Sequence, residues 1–178
     1  MRNDDPDHFQ VLVQRYRNQV YGLVASILGP DNEAEIEDVV QDVFISVYSK
    51  IRGFRNDCPF SSWVLTIARN RAIDHLRKTC RGPLYFGNEQ IYDLLSENPV
   101  PDSAVVASAR ERRNIVLRCV RRLSIQRRAA VYLYYWIGCT QAEIAGLLGT
   151  NVQVVKSQLF RARRQLREKL EVKEWSYA

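Results

Sequence analysis

The 178-residue chain is poor in turn-forming residues, with eight Gly and six Pro. That scarcity argues against a turn-rich all-β fold. Cysteine is sparse too: Cys58, Cys80, Cys119 and Cys139 form no CxxC pair and have no His cluster beside them. Zinc sites need paired ligands at short spacing, so these read as four reduced thiols of a cytoplasmic protein. No Ser/His, Cys/His, Walker or HExxH arrangement is present. Glu35, Asp38 and Asp42 lack His or Asn companions for a metal, and His75 beside Asp74 reads as structural. The expectation is therefore no catalytic residue, no metal and no cofactor. No apolar run approaches the roughly 20 residues of a membrane helix, which excludes membrane insertion. The N-terminus, Met1-Arg-Asn-Asp-Asp-Pro-Asp7, has no signal-peptide pattern, and a cytoplasmic location follows.

What the chain does have is charge, in blocks. The net charge is +6. Residues 31–49 carry Asp31, Glu33, Glu35, Glu37, Asp38 and Asp42 and no base, whereas residues 50–81 carry eight bases and two acids. Residues 82–109 are acidic again, and residues 110–178 hold fifteen bases against five acids. That last block is an electrostatic footprint for nucleic acid. The acidic block would repel DNA; it suits a basic protein surface or simply solvates a helix.

The periodicity predicts an all-α chain of two small helical domains, at 1–80 and 110–178, joined by a flexible acidic linker over 81–109. Three helices are expected in the first domain, at about 7–28, 32–51 and 61–78, with Ser61 as an N-cap of the third. Ile36, Val40, Val43, Val47 and Ile51 form one stripe for burial. With Ile36 at zero and 100° per residue, Asp38, Gln41, Asp42 and Ile45 fall between about 140° and 240°, on the opposite face. In the third helix Trp63 and Asn70 share one face, and Leu65, Ala72 and Leu76 lie on the other. The linker contains Gly82, Pro83, Gly87, Asn88, Asn98, Pro99 and Pro101, with room for one helical turn near 90–95.

Four helices are expected in the second domain, at about 110–122, 126–136, 141–148 and 152–172. Thr140-Gln-Ala-Glu143 reads as a capping box. A short helix, a turn at Gly149 and a basic helix make a helix-turn-helix. Val155, Leu159, Ala162, Leu166 and Leu170 form its apolar stripe, for packing on Ile144, Leu147 and Leu148. Gln153, Lys156, Ser157, Phe160, Arg161 and Arg164 spread around the far side, suited to base edges, phosphates and thymine methyls in a major groove. Phe160 lies about 140° from the stripe, which leaves two readings: a DNA contact, or packing against another helix.

The segment TQAEIAGLLGTNVQVVKSQLFRARRQLREKL, 140–170, resembles region 4 of bacterial sigma factors of the extracytoplasmic-function group. EIEDVVQDVFISVY, 35–48, and FSSWVLTIARNRAIDHLRK, 60–78, resemble region 2 of the same group. One departure is Gln153-Val154, where the group often carries Gly-Thr. The resemblance implies a promoter-specificity subunit. Asp38, Gln41, Asp42 and Ile45 would dock on the clamp helices of the largest RNA polymerase subunit, and the polymerase flap is a further implied partner. Phe54, Phe60, Trp63 and Asn70 would hold the melted non-template strand of the minus-ten element, with a base flipped into a pocket. Arg69, Arg71, Arg77 and Lys78 would hold its phosphates. Gln153, Lys156, Ser157, Phe160, Arg161 and Arg164 would read the duplex minus-thirty-five element. An anti-sigma protein that sequesters the two domains is also implied. Trp63, Phe54 and Phe60 are equally readable as packing residues. The competing function is a helix-turn-helix regulator that binds duplex DNA and never joins polymerase. An acidic docking helix in the N-terminal half, where a regulator needs a ligand pocket or dimer helix, speaks against it.

Overall fold

The computed structural model describes residues 6–29, 33–79 and 109–174. Among them lie seven α-helices: α1 (Pro6–Leu28), α2 (Glu33–Lys50), α3 (Phe60–Thr79), α4 (Ala109–Arg121), α5 (Ile125–Tyr132), α6 (Gln141–Leu148) and α7 (Val152–Glu174). The all-α expectation holds, with most helix ends within a residue or so of the predicted ones. The expected turn near 90–95 lies outside the described residues.

Three local features differ from the sequence reading or complete it. First, α3 starts at Phe60, and the Trp63 amide donates to the Pro59 carbonyl at 3.1 Å. Ser61 is therefore inside the first turn and does not cap it. Second, the single helix expected over 126–136 is α5 followed by a π-helical turn, Leu133–Ile137. A π turn is one residue wider than an α turn, so it shifts the phase of the residues after it. Gly138 ends it at φ 81°, in the left-handed region that glycine enters without a Cβ penalty. Third, the capping box is complete. The Glu143 amide donates to Thr140 Oγ1 at 3.3 Å, and the Thr140 amide donates to Glu143 Oε2 at 2.8 Å. The hydrogen bonds that Thr140 gives the Glu143 carboxyl, the backbone one first, hold it below its ordinary pKa.

The apolar stripes meet as the periodicity requires, except at their ends, where Ile51, Leu166 and Leu170 are only half-buried. Ile36, Val40, Val43 and Val47 of α2 are buried with Val20, Leu23, Val24 and Ile27 of α1 and with Leu65, Ala68, Ala72 and Leu76 of α3. Val155, Leu159 and Ala162 of α7 are buried with Ile144, Leu147 and Leu148 of α6. These two groups belong to one continuous core, because α5 packs on α1 and α6 packs on α3. The sequence predicts two domains joined through the linker, so this shared core is an addition that helical periodicity does not contain. The joint is polar as well as apolar. Arg128 of α5 donates to the Ser26 and Ile27 carbonyls at the end of α1. The Tyr132 hydroxyl donates to the Asn18 and Gln19 carbonyls, at 3.4 and 3.3 Å. Burial pushes the Tyr132 phenol up to about 12.

Candidate nucleic-acid interface

Four surfaces stand out, three of them built from the residues singled out by sequence. On α2, Asp38, Gln41, Asp42 and Ile45 are all exposed, and Ile45 is 61% exposed. The flanking acids are used internally: Glu37 accepts from Arg17 of α1, and Glu35 faces His75 of α3 at 3.2 Å. Asp38 and Asp42 pair with no cation among the described residues. Tyr48, one turn beyond Ile45, is also exposed and extends the apolar part of this face.

Phe54, Phe60 and Trp63 form one aromatic cluster around the start of α3. Their ring centroids are 5.1–5.5 Å apart, and Tyr16 of α1 joins through Phe60 at 5.4 Å. All three rings are half-buried, so each packs on its neighbours and keeps an exposed edge. Asn70, Arg71, Arg77 and Lys78 are exposed farther along α3. Arg71 Nε donates to Ser46 Oγ of α2 at 2.9 Å, and Arg77 faces Asp74 at 3.4 Å. Arg69 is half-buried. It donates to Asn70 Oδ1 at 2.9 Å and to the Leu148 carbonyl of α6 at 3.0 Å. Burial first, and then the charge of Arg77, lower its pKa.

On α7, Gln153, Lys156, Phe160, Arg161 and Arg164 are exposed and Ser157 is half-buried. Phe160 is 65% exposed, which removes the reading that it packs inside the domain. Arg164 Nε donates to Glu168 one turn on, at 2.9 Å. The helix before it presents its capped N-terminus, and Gly149 makes the turn at φ 64°.

The fourth surface escapes the sequence reading. Val116, Val120, Val131, Tyr135, Trp136, Leu166 and Leu170 line an open groove of about 520 Å³ between α4, the π turn and α7, with Arg163 and Arg167 on its rim. Tyr135 and Trp136 are more than half exposed. The run Tyr134-Tyr135-Trp136 is the available signal, but an α-helical wheel sets Trp136 about 140° from Val131, and the π turn brings both to the groove. Arg163 Nε donates to the Tyr135 hydroxyl at 2.9 Å and lies over the Tyr134 ring, holding the wall of the groove in place.

The fold and these surfaces define an all-helical DNA-binding protein of the helix-turn-helix type with a second helical unit in front. Family comparison narrows the class. The model for sigma-70 region 2 matches residues 12–81, and that for sigma-70 region 4 matches residues 113–166. The chain is 31% identical over 181 residues to the ECF RNA polymerase sigma-E factor of Haemophilus influenzae, covering 96% of this chain and 92% of that one. It is 29% identical to the ECF RNA polymerase sigma factor SigW of Bacillus subtilis, at 96% and 92% coverage. Among solved structures, the sigma factor RpoE in complex with the anti-sigma factor NepR from Bartonella quintana aligns with a TM-score of 0.67 at 22% identity, over 93% of this chain and 98% of that one. CnrH in complex with the cytosolic domain of CnrY aligns with a TM-score of 0.63 at 25% identity, over 95% and 91%. The chain belongs to the extracytoplasmic-function group of the sigma-70 family. It is an RNA polymerase sigma factor.

Proposed function

We propose that residues 1–80 dock on core RNA polymerase and hold the melted minus-ten strand, that residues 110–178 read the minus-thirty-five duplex, and that residues 81–109 connect them. The observation that carries this reading is the pairing, in one chain, of two outward faces of opposite character. The α2 face joins Asp38 and Asp42, which no described cation neutralises, to exposed Gln41 and Ile45, a combination suited to a basic, partly apolar protein partner. The α7 face sets Phe160 among Gln153, Lys156, Ser157, Arg161 and Arg164, a combination suited to base edges and phosphates.

On α3 the half-buried rings of Phe54, Phe60 and Trp63 offer edges for stacking an extruded base, and Asn70 offers an amide for its hydrogen-bonding edge. Arg69, Arg71, Arg77 and Lys78 line the same helix as phosphate contacts. The groove beside Trp136 is apolar with a basic rim, and suits an amphipathic helix bearing acids; the polymerase flap or an anti-sigma segment would fill it. The chain acts in the cytoplasm and supplies recognition and strand capture, while the polymerase supplies the chemistry. No helix among the described residues is long and apolar enough to cross a membrane.

The test is co-purification with core RNA polymerase followed by transcription from candidate promoters. Specific initiation that depends on the added chain is expected. DNA binding without polymerase association would return the chain to the regulator reading.

A further inference from the structure

Positions i and i+7 of a helix are nearly two full turns apart, so they share one flank at a separation of about 10 Å. On α7, Gln158 and Gln165 have this spacing, and both are bonded to the start of α5. Gln158 Nε2 donates to Gln126 Oε1 at 2.9 Å, and Arg127 Nη1 donates to Gln165 Oε1 at 3.1 Å. Gln126 and Gln158 are both buried, at 8% and 4% exposure. With Val155 at zero on the helical wheel, Gln158 and Gln165 fall at about −60° and −80°, between the apolar stripe and Arg161 at about −120°.

Apolar packing specifies α7 only loosely at this place. The two glutamines border a small gap of about 10 Å³ where α5, the turn after α6 and α7 meet, with Ala130, Leu148, Thr150 and Val154 around it. Hydrophobic contact is non-directional, whereas a hydrogen bond holds only over a narrow range of distance and angle. A buried amide pair adds little net stability, because both groups leave water to form it. What it adds is a fixed rotation. A turn of α7 by about 10° carries a side-chain tip about 6 Å from the axis through about 1 Å. Readout of base edges by hydrogen bonds does not tolerate such a shift.

We propose that the Gln126–Gln158 pair sets the rotation of α7 on α5, and so aims Lys156, Ser157, Phe160 and Arg161 at the minus-thirty-five bases. Gln126 and Gln158 are positioning residues, buried away from the DNA-facing side. The proposal rests on the minus-thirty-five reading of α7 and goes beyond it by placing part of the sequence discrimination in two residues that face no base. It also separates specificity from stability. Replacing both amides by apolar chains of similar shape leaves stability nearly unchanged and releases the rotation.

The experiment uses holoenzyme assembled from the full chain and core RNA polymerase. A promoter that the wild-type holoenzyme transcribes is randomised over its minus-thirty-five element, and transcripts are counted by sequencing. Urea melts of the free chain measure stability alongside. Gln126→Met/Gln158→Met is expected to melt at the wild-type urea midpoint or above it. The ratio of best to worst base at the minus-thirty-five positions is expected to fall at least about threefold in that variant. A wild-type ratio in the double variant overturns the proposal. A fallen ratio together with an earlier urea melt overturns it too, because lost stability then accounts for the change. Lys156→Ala tests the underlying reading and is expected to alter the base profile. A wild-type profile without base preference, or one that Lys156→Ala leaves unaltered, places the failure in the minus-thirty-five assignment of α7. A profile altered by Lys156→Ala and untouched in the double variant places the failure in the positioning role.

Discussion

Leu159 and Phe160 are neighbours in the chain and opposites in environment: Leu159 is 1% exposed and Phe160 is 65% exposed. One residue of helical rotation turns the first into the α6–α7 core and the second toward solvent, on the face that holds Lys156, Arg161 and Arg164.

The pair yields a double prediction. Leu159→Ala should cost about 2–5 kcal/mol of stability through the cavity it leaves. Phe160→Ala should change stability by less than about 0.5 kcal/mol, as surface substitutions do. In DNA binding the order reverses. Phe160→Ala should cost about 1–3 kcal/mol, and more on some single-base promoter variants than on others. Arg167→Ala should weaken every sequence about equally and flatten the salt dependence by about one phosphate. Urea melts and a panel of duplexes at several salt concentrations measure both; an earlier melt with uniform DNA loss in Phe160→Ala would reassign it to packing.

Asp38→Arg or Asp42→Arg should abolish binding to core polymerase with the fold intact. Neither carboxylate pairs with a cation among the described residues, so the reversal breaks no ion pair there. Against a basic partner it adds repulsion to lost attraction. Unchanged affinity for core polymerase, with native circular dichroism, would take this face out of the docking surface.

Asn70→Ala should slow open-complex formation more than it weakens duplex promoter binding, because a base edge is available to the amide only once unpaired. If Asn70 serves opening, a pre-melted template should largely rescue the variant. If it recognises the flipped base, both templates should suffer. Wild-type rates on both would show that Asn70 has neither role.

The capping box sets a pH dependence. Thr140→Ala should cost about 1 kcal/mol. Glu143→Gln keeps the acceptor geometry and removes the charge. The folded-state pKa of Glu143 lies below its ordinary value of 4.5, so the folded state binds its proton less readily than the unfolded chain. Its stabilisation is thus present above that value and is lost as the pH falls through the lowered folded pKa. The difference in urea midpoint between wild type and Glu143→Gln should shrink as the pH is lowered from neutrality through that range. A constant difference would mean that the charge is immaterial to the cap.

Elements whose determinants are local were legible in the sequence. Ile36, Val40, Val43 and Val47 recur at helical intervals and are all buried, and the Thr140–Glu143 box closes as its spacing requires. The outward placement of Asp38, Asp42 and Phe160 followed from the same geometry. What escaped depends on distant partners or on a broken period. A wheel drawn through 126–136 at 100° per residue sets Trp136 about 140° from Val131, and the π turn that starts at Leu133 brings both to one groove. Arg128 and Tyr132 read as ordinary members of an amphipathic helix, because their acceptors lie more than 100 residues away in α1. Phe54, Phe60 and Trp63 allow two readings in sequence, and a half-buried cluster satisfies both.

Gly22 sits in the interior of a 23-residue helix, where glycine is less stable than alanine by roughly 0.5–1 kcal/mol. Judged by α1 alone it is a defect. Natural sequences keep such conflicts between local preference and global structure few, so a conflict that persists marks a place where the whole molecule overrules the segment. Here the override has a definite shape: the missing methyl is the space that the Tyr132 phenol occupies. The glycine is thus a keyhole written into the first helix for a key carried on the fifth.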